Sequence, residues 1–97
     1  MPRKYLRITE VTKICGVDVK FVKRLEQEKV IYPIIRHSEK FYPLNQVDRV
    51  RIARLLIEEM GVNLEGAEVA LNMREQMIAM QRQFSEILRL LGRELNK

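Results

Sequence analysis

Between Ile8 and Glu28 two short apolar-periodic stretches lie only a few residues apart, and that closeness limits the fold more than any other feature of the chain. Thr9 can cap the first stretch, whose Val11, Ile14 and Cys15 fall near one helical face. Gly16 stands at its end, where a left-handed backbone costs glycine least. Asp18 can cap the second stretch, in which Phe21, Val22 and Leu25 recur at intervals of three and four. Lys20, Lys23, Arg24 and Gln27 fall between those apolar positions and face outward. Two helices joined this tightly form a helix–turn–helix.

After Lys29 the period changes. Val30 to Ile35 is apolar and β-branched around Pro33, which predicts a short edge strand, because proline donates nothing to a ladder. Arg36-His37-Ser38-Glu39-Lys40 suits a hairpin tip, with Phe41 and Tyr42 as the return strand. Asn45, with Asp48 three residues on, marks a further helix start. In that helix Val47, Val50, Ala53, Leu56, Ile57 and Met60 keep a helical period, and Arg49, Arg51 and Arg54 fall on other faces. Gly61 closes it and Asn63 caps the next. Helix–turn–helix, ribbon, then helices is the wiring of a winged-helix module. The expected fold is mostly α, with a small β-ribbon wing and a long C-terminal helix.

That last helix carries the cleanest periodic signal. Met73, Met77, Met80, Phe84, Ile87 and Leu91 alternate steps of four and three, the seam of a paired helix, and Leu88 and Leu95 widen it. Such a seam either pairs with a second copy, as an antiparallel dimer of helices, or folds back on its own domain. A small core favours the dimer. The expected division is a winged helix–turn–helix domain over residues 1–72 and a dimerisation helix over residues 73–97.

The 97 residues suit one domain. The net charge is +5, and its placement is informative. Residues 1–63 carry 13 Lys and Arg against 8 Asp and Glu, whereas residues 64–97 carry 5 of each. A basic winged-helix half fits phosphate binding, and it also fits ordinary solubility. Signals of enzyme chemistry are missing. One His and one Cys are too few for a usual metal site, and the four glycines are too scattered for a phosphate loop. No metal or cofactor is therefore expected. Cys15 reads as a small buried hydrophobe, and His37 as a loop side chain. Glu58 and Glu59, adjacent on a helix, diverge and do not form a carboxylate pair. The start Met-Pro-Arg-Lys-Tyr lacks the apolar run of a secretory signal, and no apolar run is long enough to span a bilayer. With a single cysteine, a cytoplasmic, reducing setting is expected.

Over roughly residues 5–75 the chain resembles the MerR-type winged-helix superfamily. The resemblance rests on Tyr5-x-x-Ile8, Gly16-Val17 at the turn, Phe21-Val22-Lys23-Arg24-Leu25-Glu26, Val30-Ile31-x-Pro33, Asp48, and Gly61-Val62-Asn63-Leu64-Glu65-Gly66. MerR-type DNA binders usually read Thr-Leu-Arg-x-Tyr-Glu in the second helix. Phe21, Lys23 and Leu25 replace the Thr, Arg and Tyr here. Their wing usually returns as Arg-x-Tyr, and here Tyr42 stands at the Arg position and Leu44 at the Tyr position. Lys does not replace a bidentate Arg, and losing the wing Arg removes a positioning contact.

This erosion is similar to that of the chaperone-modulator (CbpM-like) branch, which shares a stretch like Gly66-Ala67-Glu68-Val69-Ala70-Leu71 before a long terminal helix. That resemblance implies binding to the J-domain of a DnaJ-like co-chaperone, restraining its work with a heat-shock chaperone. J-domains present a basic helix, so the binder should offer acidic groups. Glu58, Glu59, Glu65, Glu68 and Glu75, around the Gly61 turn, are the partner-binding candidates. The sister possibility is an HspR-like heat-shock repressor. Lys20, Lys23 and Arg24 would then enter the major groove, Arg36, His37 and Lys40 would form the wing, and the Met73–Leu91 seam would pair two half-sites. The eroded motifs favour the modulator and the basic N-terminal half favours the repressor, and the modulator is the expected function with the repressor as its alternative. For each of these side chains a solvated helix face is the competing reading.

Overall fold

The computed structural model describes residues 4–95. Strand β1 (Tyr5–Leu6) leads into helix α1 (Ile8–Cys15), and helix α2 (Val19–Gln27) follows at once. Gly16, between them, has φ +67°, the left-handed conformation expected of it. The Asp18 carboxylate accepts the Phe21 N–H at 2.8 Å, so it caps α2 as predicted. Thr9 does not cap α1. That helix starts two residues earlier, after Arg7, whose N–H is accepted by the Glu10 carboxylate at 3.1 Å. Ile14, expected on the inner face, is exposed.

Val30 to Ile35 is not one strand. Lys29 takes a left-handed φ of 60°, and the N–H groups of Val30 and Ile31 both return to the Leu25 carbonyl. Val30 and Ile31 are thereby plugged into the core as a wrap around the end of α2. A β-branched run can thus be satisfied by burial without entering a ladder. Strand β2 (Ile34–Arg36) starts only after Pro33 and pairs with β3 (Glu39–Pro43), Arg36 opposite Glu39. The hairpin loop is therefore His37-Ser38 alone, with φ 51° and 63°, the doubly left-handed turn that matches strand twist. The antiparallel sheet has the order β1-β3-β2, so β2 lies at an edge. Strand β1, two residues long, is too short to show a period in the sequence.

Helix α3 (Leu44–Arg54) follows Pro43 directly, so Asn45 lies inside its first turn and is not its cap. It continues through a wider π turn over Leu55–Glu59 and stops at Gly61, where φ is +71°. Met60, expected on the inner face, is exposed beyond that turn. Asn63 accepts the Gly66 N–H at 2.7 Å and caps helix α4 (Leu64–Leu95). Val11, Cys15, Val22, Leu25, Val30, Ile31, Tyr42, Val47, Val50 and Ala53 form the core, and α4 adds Leu71 to it. After Leu71, α4 leaves the domain, which stretches the molecule to 56 × 35 × 19 Å.

Arg49 corrects the reading of α3. Its helical position lies off the apolar face, yet it is only 7% exposed. Its Nε donates to the Val30 carbonyl at 2.7 Å, and its terminal nitrogens reach Glu75 at 2.5 Å and Asn72 at 3.3 Å. Burial is tolerable because each guanidinium nitrogen has an acceptor.

Candidate functional site

Helix α2 buries Val22 and Leu25, and that choice of inner face fixes the outer one. Lys20, Lys23, Arg24 and Gln27 stand at i, i+3, i+4 and i+7, which makes one stripe opposite the buried side. All four are exposed. The three cations have no ion-pair partner among the described residues. A shallow depression beside the helix start is lined by Asp18, Lys20, Phe21, Arg24 and Glu58. Such a stripe offers a row of donors to an anionic surface.

The wing is fastened to the end of α2 by Glu26. This carboxylate accepts from the Tyr42 hydroxyl and pairs with Lys40 at 2.8 Å. Tyr42 is 1% exposed, and burial, reinforced by Glu26, pushes its phenol up to about 12. Lys40, a predicted wing contact, is thus half engaged within the protein. Leu44 opens α3 and is exposed, whereas Tyr42 is the last inward aromatic of the return strand.

The remaining wing candidates lie at or near the tip. His37 is an exposed turn residue. Arg36 lies over the Tyr5 ring, 5.1 Å from its centroid. Arg7 lies over Phe41 at 5.7 Å and pairs with Glu39 at 3.0 Å. Lys4, Tyr5, Arg7, Glu10, Arg36 and Phe41 line a concavity of about 380 Å³ on this outer side of the sheet. Sequence reasoning missed Tyr5, Arg7 and Glu26 as parts of the surface, because strand β1 and the α2–wing contact are made across the chain.

Two of the five acidic candidates are ion-paired within the protein. Glu58 pairs with Arg54 at 3.2 Å, and Glu75 is held by the buried Arg49. Glu59 and Glu65 are exposed and Glu68 is half-buried, without ion-pair partners among the described residues. The seam residues Met73, Met77, Met80, Phe84, Ile87 and Leu91 are between 53% and 67% exposed. At about 100° per residue they point about 150° away from Leu64, Ala67 and Leu71, which face the domain. The seam is thus not folded back on its own core.

Cys15 is buried, with its Sγ 3.6 Å from the Val47 carbonyl. Burial pushes the thiol up against the opposing pull of Arg51, so it is a packing residue. Among the described residues no group of three His, Cys, Asp or Glu is placed to hold a metal ion, and no helix is long and apolar enough to cross a membrane.

Comparison with protein families finds one described as MerR HTH family regulatory protein, matching residues 6–89. Comparison with curated proteins and with solved structures returns no match.

Proposed function

Since the chain belongs to the MerR family of helix–turn–helix regulatory proteins, we propose that it is a non-enzymatic, DNA-binding transcriptional regulator that works as a homodimer. The observation that carries this reading is the stripe Lys20, Lys23, Arg24 and Gln27, exposed along α2 and without an internal acidic partner. Cations at helical spacing on the second helix of the motif suit the major groove, where Lys and Arg meet phosphates and guanine edges. Arg36 and His37 supply the wing contacts, and Lys40 a contact shared with Glu26. The dimer would form through Met73, Met77, Met80, Phe84, Ile87 and Leu91 as an antiparallel helix pair. Of the flanking residues Gln76, Gln81 and Gln83 are uncharged and Arg74 is paired with Asp48, so like-charge repulsion between two copies is small.

A second reading keeps one specific support. Glu59, Glu65 and Glu68 remain unengaged around the start of α4 and suit the basic helix of a J-domain. With Glu58 and Glu75 tied to arginines, that surface is smaller than the five-residue cluster the sequence suggested.

One NMR experiment separates the two. The isotope-labelled protein is titrated with duplex DNA from upstream of its own gene, and in parallel with a J-domain from the same organism. Saturable shifts on Lys20–Gln27 and the wing with DNA are expected. Shifts confined to Glu59–Glu68 with the J-domain, and none with DNA, would replace the regulator by the modulator.

A further inference from the structure

Helix α4 holds to its domain through a short apolar root, Leu64, Ala67 and Leu71. Apolar contact is non-directional and by itself fixes position better than angle. Directional contacts lie just beyond the root. Arg49 reaches Asn72 and Glu75, and Asp48 reaches Arg74 at 3.3 Å. Arg49 also holds the Val30 carbonyl, in the wrap that ends α2 and leads into the wing. One buried guanidinium therefore touches α4 on one side and the α2–wing joint on the other.

We propose that Arg49 is a positioning residue that sets the angle at which α4 leaves the domain and ties that angle to the end of α2, so that it determines the spacing between the two DNA-reading helices of the dimer. This rests on the dimeric DNA-binding reading. A lysine cannot serve, because a single ammonium lacks the planar fork that addresses three acceptors at fixed directions. The lever is long: at about 1.5 Å per residue the part of α4 beyond Leu71 spans about 36 Å, so a tilt of about 10° at its root moves its tip by about 6 Å. Glu75 thereby takes its place as a partner of Arg49.

The test uses the full chain in a Cys15→Ala background with spin labels at Lys13→Cys and Ser85→Cys, both exposed and neither a residue of the seam or of α2. Labelled protein is diluted with unlabelled protein, so that pulsed electron paramagnetic resonance reads only the distance within one protomer. The parent should give one narrow distance. Asn72→Ala with Glu75→Ala should broaden or shift it while circular dichroism stays unchanged. Arg49→Lys serves as a second variant. The same proteins are then bound to DNA duplexes whose half-site spacing is varied. The parent should prefer one spacing, and the variants should lose about tenfold of that preference, the scale set by the energy of deforming short DNA. An unchanged distance in the folded variants overturns the positioning role. A changed distance with unchanged spacing preference overturns its link to DNA reading. A parent that binds no DNA overturns the regulator reading and the spacing role with it, while the distances still decide whether Arg49 sets the angle.

Discussion

Tyr42 joins the core, the wing and α2 at one atom. Its ring fills the core and its hydroxyl donates to Glu26, which also holds Lys40. With its phenol raised to about 12 from an ordinary 10, the folded state keeps the proton where the unfolded chain loses it. Its contribution is therefore complete below pH 10 and is lost as pH rises towards 12. Urea unfolding across pH 9–12 should show this alkaline fall, and Tyr42→Phe should flatten it. At neutral pH the same change should cost about 1 kcal/mol for the lost hydrogen bond. At the wing tip, His37 and Ser38 are held left-handed without being glycine. Ser38→Gly should raise stability by about 1 kcal/mol, measured by the shift of the urea midpoint, because glycine takes that conformation without steric penalty.

Helices were more legible than strands, for a reason visible at their ends. Asp18, Gly16, Gly61 and Asn63 act on backbone groups a few residues away, so their signals are local, and each is found in its predicted role. Strand β1 has two residues, and its partner β3 lies nearly forty positions along, so no local period announces it. The burial of Arg49 escaped notice for the same reason, since its acceptors come from separate segments. Val30 and Ile31 carried a true burial signal in the wrong element. Of the candidate site, the basic stripe of α2 was legible because it is a helical spacing. The engagement of Glu58, Glu75 and Lys40 was not, because ion pairing depends on what folds nearby. For the seam the expected outcome is definite. Met80→Glu with Phe84→Glu places carboxylates on the exposed face of α4, and should turn the sedimentation of a dimer into that of a monomer with the helical signal of the domain retained.

At the scale of the whole molecule, charge and shape divide the labour. The basic stripe and wing belong to the domain, and the neutral C-terminal helix extends away from it. DNA affinity should fall steeply with salt, because displaced counterions supply much of it. Replacing Lys20, Lys23 and Arg24 together with Ala should reduce the slope of log affinity against log salt by about 2 to 3 per protomer, measured by fluorescence anisotropy. An unchanged slope would remove α2 from the interface. The apolar seam has one further consequence if two copies close over it. In a dilute cell the number of pairs grows as the square of the number of chains, so abundance itself becomes an input. A modest change in synthesis or turnover would then cross the threshold between single chains, each able to grip half an operator, and the pair that grips all of it.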